Sequence, residues 1–376
     1  MKLGEQHHHW GMIKRVNSHT ISSIFFLLAV FNNASAEHRS SHHHFSQSWN
    51  AGDLLIFPDV SMMTRFNQDA NNHQANSEII PELNVFYTAD YQHFRFLGEW
   101  LLSTKSHNME RLQLGVHIGD SSLWLGRFHS PIGFWNMQYH HAAILQTSIS
   151  RPGVMMFETA GGVIPNHLTG LLLEGIHEVE LSGFYYSLGV GVGPELNRQL
   201  SPFNIFEPEG AHRPGVAFRI GYQPISYGID EVGVSVAYTE LSGDKIGVHE
   251  VKQFVATAYS NWQLNDIQWT TEIVYANNQL DINSTLNRSD DFANAYSQLA
   301  WAFHQDWALY GRIEATIGAK NDAYLNLFNN FVEDRVLGGV RYNLNRNMAL
   351  KLEASRDQLN GNEFGQFLFQ WSAVLP

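Results

Sequence analysis

Val216-Ala217-Phe218-Arg219-Ile220-Gly221-Tyr222-Gln223 decides the fold class. Val216, Phe218, Ile220 and Tyr222 share one parity, and Ala217, Arg219 and Gln223 share the other. Successive side chains of a strand point to opposite sides of the pleat, so this alternation describes a strand with one greasy and one polar face. It recurs at 111–118, where Leu112, Leu114, Val116 and Ile118 oppose Arg111, Gln113, Gly115 and His117. It recurs again at 267–275, where Ile267, Trp269, Thr271, Ile273 and Tyr275 oppose Gln268, Thr270 and Glu272. At 365–375, Phe367, Phe369, Trp371, Ala373 and Leu375 oppose Gln366, Leu368, Gln370 and Ser372.

Working outward, 16 such segments are read at 54–66, 79–91, 94–104, 109–118, 122–128, 167–175, 178–192, 214–223, 231–242, 249–263, 266–278, 291–303, 307–319, 333–344, 348–358 and 363–375. Their connections alternate in length. Tight ones are expected at 91–93, 119–121, 176–177, 264–266, 304–306 and 345–347, and longer ones at 67–78, 129–166, 193–213, 279–290 and 320–332. Short turns on one rim and long loops on the other are the pattern of a membrane barrel, and an even strand number puts both termini at the short-turn rim.

Composition narrows the class further. The 376 residues include 23 Lys+Arg, 36 Asp+Glu and 20 His but no Cys, so disulfides, thiolate metal sites and a Cys nucleophile are excluded. A net charge of −13 argues against a nucleic-acid partner, which calls for a basic footprint. Only 16% of residues are charged, and the mean hydropathy is −0.23, which suits a chain whose apolar and polar residues alternate. Near the N-terminus, Lys14 and Arg15 precede the apolar run 21–31 and then Ala34-Ser35-Ala36. This reads as a signal peptide over 1–36, with Met12 as an alternative start. Its removal takes Lys2, Glu5, Lys14 and Arg15 and leaves 20 basic and 35 acidic residues, a net of −15. A His/Ser-rich stretch, 37–53, precedes the barrel at 54–376.

A soluble β-sandwich or jelly roll would also alternate. Against it stand aromatic residues near strand ends on the apolar face: Trp100, Trp269, Tyr275, Trp301, Phe303, Trp307, Tyr342 and Trp371. Such residues form girdles at membrane interfaces. The polar faces carry Arg, Gln, Glu and Asn rather than the Ser/Thr/Lys mix of a wet exterior. The expected fold is therefore all-β, a transmembrane antiparallel barrel of about 16 strands.

The whole mature chain resembles the sixteen-stranded porin superfamily of Gram-negative outer membranes. Leu125-Gly126-Arg127-Phe128-His129-Ser130-Pro131-Ile132-Gly133-Phe134-Trp135-Asn136 is similar to the strand-to-loop turn of phosphate-selective and related porins. The continuation from Tyr139 to Pro152 looks more like uncharacterised porin-like barrels. The chain departs from the family at Val374-Leu375-Pro376, where such barrels usually end in Phe. The resemblance implies a third loop, 129–166, folded into the lumen as a constriction, an outer-membrane location with lipid and lipopolysaccharide around the barrel, and a homotrimer. The loop's own composition agrees, because Phe134, Trp135, Ile144, Val154, Met155 and Ile164 would form an exposed apolar patch if left in water.

The parity opposite the apolar face lists the expected pore-lining residues: Arg95, Glu99, Arg111, His117, Arg219, Glu272, Arg312, Glu314, Arg335, Arg341, Lys351 and Glu353. Arg127 joins them although Leu123 and Leu125 share its parity. Trp135, Tyr139, His140, His141 and Arg151 are expected in the constriction. Two readings of the arginines stand together: a ladder that contacts anionic solutes, since guanidinium binds phosphate or carboxylate bidentately, or ion pairs with the glutamates that hold up the wall. Passive diffusion of small hydrophilic solutes, with an anion preference, is the expected function. The alternatives are a plugged barrel acting as adhesin or receptor, and a metal-linked porin using His42, His43, His44, His140 and His141, because neutral imidazole is a common metal ligand. No G-x-S-x-G elbow occurs, and neither an enzyme nor a cofactor is expected.

Overall fold

The computed structural model describes residues 52–66, 77–104, 107–139, 142–206, 208–243, 247–283, 286–359 and 361–375. The signal-peptide segment, the tract with His42, His43 and His44, and the pair His140 and His141 lie outside the described residues.

Sixteen long strands close into one antiparallel barrel. They are β1 (Asp53–Phe66), β2 (Ser77–Tyr91), β3 (Phe94–Ser103), β4 (His107–Ile118), β5 (Ser121–His129), β6 (His167–Val179), β7 (Ser182–Val192), β10 (Pro214–Gln223), β11 (Glu231–Gly243), β12 (Val248–Leu264), β13 (Ile267–Asn283), β14 (Leu286–His304), β15 (Trp307–Ile317), β16 (Val332–Asn345), β17 (Met348–Leu359) and β18 (Asn362–Ala373). Two short strands, β8 (Glu195–Leu196) and β9 (Leu200–Ser201), form a separate hairpin. Each long strand pairs with its neighbours in the barrel order, and β1 closes the ring on β18 with Asp59 opposite Ser372 and Val60 opposite Trp371. Closure removes the unpaired edge, which a hydrocarbon surrounding could not solvate. Ile56 also bridges Leu375, which brings the two described chain ends to the short-turn rim.

The alternation expected from sequence appears as alternating burial. On β10, Val216, Phe218, Ile220 and Tyr222 are exposed, and Ala217, Arg219, Gly221 and Gln223 are buried. The same outward apolar face continues through Val232, Val234 and Val236 on β11 and Leu299, Trp301 and Phe303 on β14. Outward aromatics pair across strands, as Trp307 and Tyr342 do with ring centroids 4.4 Å apart. Trp269 and Tyr275 lie about 20 Å apart along β13 at the usual rise per residue.

Two connections differ from the sequence reading. The turn expected at 176–177 lies at Glu180–Leu181, and β6 runs on to Val179. Glu180 adopts φ 55° without the Gly, Asn or Asp that normally marks such a turn, so nothing local announced it. The loop expected at 279–290 is mostly strand: Leu280 pairs with Arg288 and Asp281 with Asn287. β13 and β14 extend 17 and 19 residues, well beyond the roughly 9–11 that span a bilayer, and outside the membrane their polar side chains meet water.

Candidate functional site

The site is built from the 129–166 segment, here loop 3, which leaves β5 and returns at β6. It contains one short helix, α1 (Trp135–Gln138), and 3-10 turns at Ala143–Leu145, Gly153–Met155 and Glu158–Ala160. Its apolar residues are buried inside the barrel. Ile132, Trp135, Met155, Val163 and Ile164 belong to one cluster with inward wall residues such as Phe128, Val255, Val274 and Tyr296. Leu196 and Leu200 of the small hairpin and Tyr324, Phe328 and Phe331 of the β15–β16 connection complete this cluster.

A loop without regular structure carries unpaired backbone groups, which need partners when buried. Wall carboxylates accept the loop's N–H groups. Phe134 N and Trp135 N donate to Glu272 on β13 (3.2 and 3.4 Å), Gly153 N to Glu314 on β15 (2.6 Å), and Ile149 N to Glu353 on β17 (2.8 Å). Wall cations donate to the loop's carbonyls. Arg341 reaches Ile144 O and Gln146 O (2.8 and 2.9 Å), Lys351 reaches Ala143 O (2.6 Å), and Arg335 reaches Arg151 O (2.8 Å). Arg312 donates to Ser150 O (2.9 Å), Ser148 Oγ (3.2 Å) and Gln298 (3.0 Å) and pairs with Glu314 at 2.7 Å. Gly133 N donates to Ser235 Oγ (2.9 Å). Gly133 has φ +69°, and a Cβ there would lie 2.0 Å from Glu272 Oε1, so this turn of the P-x-G stretch requires glycine.

The remaining expected residues are placed as follows. Arg219 pairs with Glu231 and lies between the rings of Tyr185 and Tyr259 at 4.9 and 5.1 Å. Arg95 pairs with Asp90, and Arg111 with Glu99, both at 2.9 Å. His117 is exposed beside Ser122 Oγ at 3.3 Å. Arg127 is 6% exposed despite its parity with Leu123 and Leu125. The preceding Gly126 has φ +135°, which interrupts the alternation. Trp135 is fully buried, with Arg312 over its ring at 5.2 Å. Tyr139 OH accepts from Gln268 (3.1 Å), and burial raises its phenol pKa. Arg151 holds the loop to itself through Met155 O (2.9 Å) and Tyr139 O (3.0 Å).

Three participants were not singled out in the sequence. Glu158 accepts from Asn166 N (2.7 Å) and contacts His167 Nδ1 (2.7 Å), and His167 Nε2 lies 3.1 Å from Glu110, so this group ties the end of the loop to β4 and β6. A signal existed, because Glu158 is the only carboxylate in 129–166. Asp357 lies inward on β17 and takes a two-point contact from Arg335 at 3.0 and 2.9 Å. Asp322 is 1% exposed and accepts from Leu325 N, and burial raises its pKa.

No family model matches the chain, and no curated protein matches it. Solved structures do. The anion-selective porin from Comamonas acidovorans aligns over 86% of this chain and 99% of its own, at 10% identity and a TM-score of 0.58. The barrel is of the porin type. The outer-membrane channel DcaP of Acinetobacter baumannii aligns over 86% of this chain and 97% of its own, at 8% identity and a TM-score of 0.55. The trimer form of in-vitro folded OmpT, an outer-membrane protein of Vibrio cholerae, aligns over 87% of this chain and 100% of its own, at 12% identity and a TM-score of 0.55. At these identities the likeness is one of fold, and the porin-type barrel described above is what they share with this chain.

Proposed function

We propose that this porin-type barrel is a passive diffusion channel for small hydrophilic solutes in a Gram-negative outer membrane. The observation that carries the reading is the double clamp on loop 3, whose N–H groups are taken by Glu272, Glu314 and Glu353 and whose carbonyls are taken by Arg341, Lys351 and Arg335. A clamped loop narrows a polar lumen to a fixed width, and width and charge then select solutes. The N-terminal signal peptide, periplasmic chain ends at the short-turn rim, surrounding lipid and lipopolysaccharide, and assembly as a homotrimer belong to the same reading. Catalysis does not. An anion preference lacks its premise, because the arginines expected to form a free ladder are engaged by loop carbonyls and carboxylates.

A second reading, a plugged barrel that binds a partner through its outer loops, is favoured by one observation: Trp135, Met155, Tyr324, Phe328 and Phe331 pack as an apolar cluster inside the lumen. For the metal-linked reading, no group of three or more His, Asp or Glu among the described residues is arranged to hold a metal, and His42, His43, His44, His140 and His141 lie outside those residues. Insertion of the refolded chain into a planar bilayer separates the first two readings. Steady conductance steps are expected. A folded, heat-modifiable barrel without steps would overturn the channel and leave the binding reading.

A further inference from the structure

The return of loop 3 to the barrel wall is held differently from the rest of the loop. Between Phe134 and Gly153, wall carboxylates accept backbone N–H groups. At the return, Glu158 Oε1 accepts from Asn166 N and His167 N (2.7 and 3.1 Å), and Glu158 Oε2 lies 2.7 Å from His167 Nδ1. On the other side of the ring, Nε2 lies 3.1 Å from Glu110 Oε2. The imidazole of His167 therefore stands between two carboxylates, one on the loop and one on β4, and all three residues are buried. The other charged and titratable groups around the ring are on β5: Arg127, which acts on it electrostatically, and His129, whose ring centroid is 5.0 Å away. Arg151 of the loop acts on Glu110.

Each of the two gaps needs a proton, because a nitrogen lone pair aimed at a carboxylate oxygen repels it. A neutral ring carries one N–H and a protonated ring carries two. When the trio loses one proton, the shorter contact, to Glu158, keeps its hydrogen and the longer one, to Glu110, loses it. The loop end then stays on β6 and loses its tie to β4. A buried carboxylate stripped of its partner is strongly disfavoured, so the two elements separate. Thr159 and Ala160 are exposed, which sets the trio one residue from solvent at Glu158.

Resting on the channel reading, we propose that Glu110, His167 and Glu158 form a proton-operated latch: with a proton in each gap it holds the return of loop 3 to β4, and raising the pH opens the Glu110 gap and widens the pore. His167 is a positioning residue in this device, acting through the loop. The three groups titrate as one unit, so the release is a single step that belongs to the trio.

The test is the single-channel conductance of the refolded full chain in a planar bilayer, for the parent, Glu110→Gln and His167→Gln. It is read from about pH 5 to about pH 10, a range around the ordinary imidazole titration. In Glu110→Gln the amide donates to the neutral ring's Nε2, so the gap stays closed without a titrating proton. In His167→Gln the ring is gone and the latch stands open. The parent's conductance is expected to rise with pH in one step about two pH units wide, as for the loss of one proton. Glu110→Gln is expected to lack the step and stay at the parent's low-pH value, and His167→Gln to lack it and stay at the high-pH value. Heat-modifiability verifies that each is folded, and Glu110→Gln carries the test if His167→Gln fails to fold. Steps that do not change with pH in the parent overturn the proposal and leave the channel reading standing. So does a rise that survives in Glu110→Gln, or the same conductance in both variants, which a merely structural role would give. A folded barrel without steps at any pH overturns the channel reading and the proposal with it.

Discussion

On β17 the inward side chains from Ala349 to Leu359 are all buried, while on β1 Ser61, Met63 and Arg65 are only half-buried. Both strands alternate, and both turn polar groups inward. What separates them is the partner each inward side chain finds. Some exchange water for a backbone group of loop 3, as Lys351 does with Ala143 O. Others keep water or pair with another side chain, as Arg95 does with Asp90. An inward polar position in a barrel is therefore not yet a pore-lining one, because buried polar groups are satisfied by whatever fills the lumen.

The comparison breaks most severely if the loop is released. Replacing Glu272, Glu314 and Glu353 together by Ala removes the acceptors for the N–H groups of Phe134, Trp135, Ile149, Ser150 and Gly153. Hydrogen bonds to charged groups contribute about 1.5–3 kcal/mol each. The expected outcome in single-channel recording is larger steps from a barrel that still closes, and step sizes matching the parent chain would mean the clamp does not set the width.

A sharper contrast comes from one ion pair on each wall. Arg312→Ala takes from buried Glu314 its partner at 2.7 Å and leaves it Arg335 at 3.8 Å, which costs about 3 kcal/mol. Arg95→Ala removes the partner of Asp90, whose side chain is 49% exposed, and costs at most about 1 kcal/mol. Urea midpoints of the two variants in detergent should differ accordingly, and equal midpoints would erase the distinction between the walls.

Glycines give the smallest contrast. Gly133→Ala puts a Cβ against Glu272 at φ +69° and should cost about 1–3 kcal/mol. Gly119→Ala, at φ +62° in a short turn with nothing within 4 Å, carries the backbone cost alone, about 1 kcal/mol. The same urea series reads both, and a larger loss at Gly119 would contradict the tight seat of the loop.

Much of this was legible in the sequence. The strands were, because period-two alternation is a local property written in neighbours. Val216 to Gln223 carries its two faces whatever surrounds it. The turn at Glu180 was not, because a non-glycine residue there takes a left-handed φ without any turn signal. Asp357 shares the inward parity of Lys351 and Glu353, but only the pairing of β16 with β17 sets it against Arg335. His140 and His141 lie outside the described residues, and the metal reading built on them stays where the sequence left it.

By itself, the sequence determined sixteen strands, two unequal rims, an apolar outer face and a long apolar third loop, since each follows from the order of residues along one segment. Only the tertiary structure decided which inward charges meet the loop and which meet water. Glu353 and Ile149, 204 residues apart in the chain, share a hydrogen bond. Such a contact depends on barrel closure and on where the loop lies, and these are set by the cooperative packing of distant strands rather than by any local pattern.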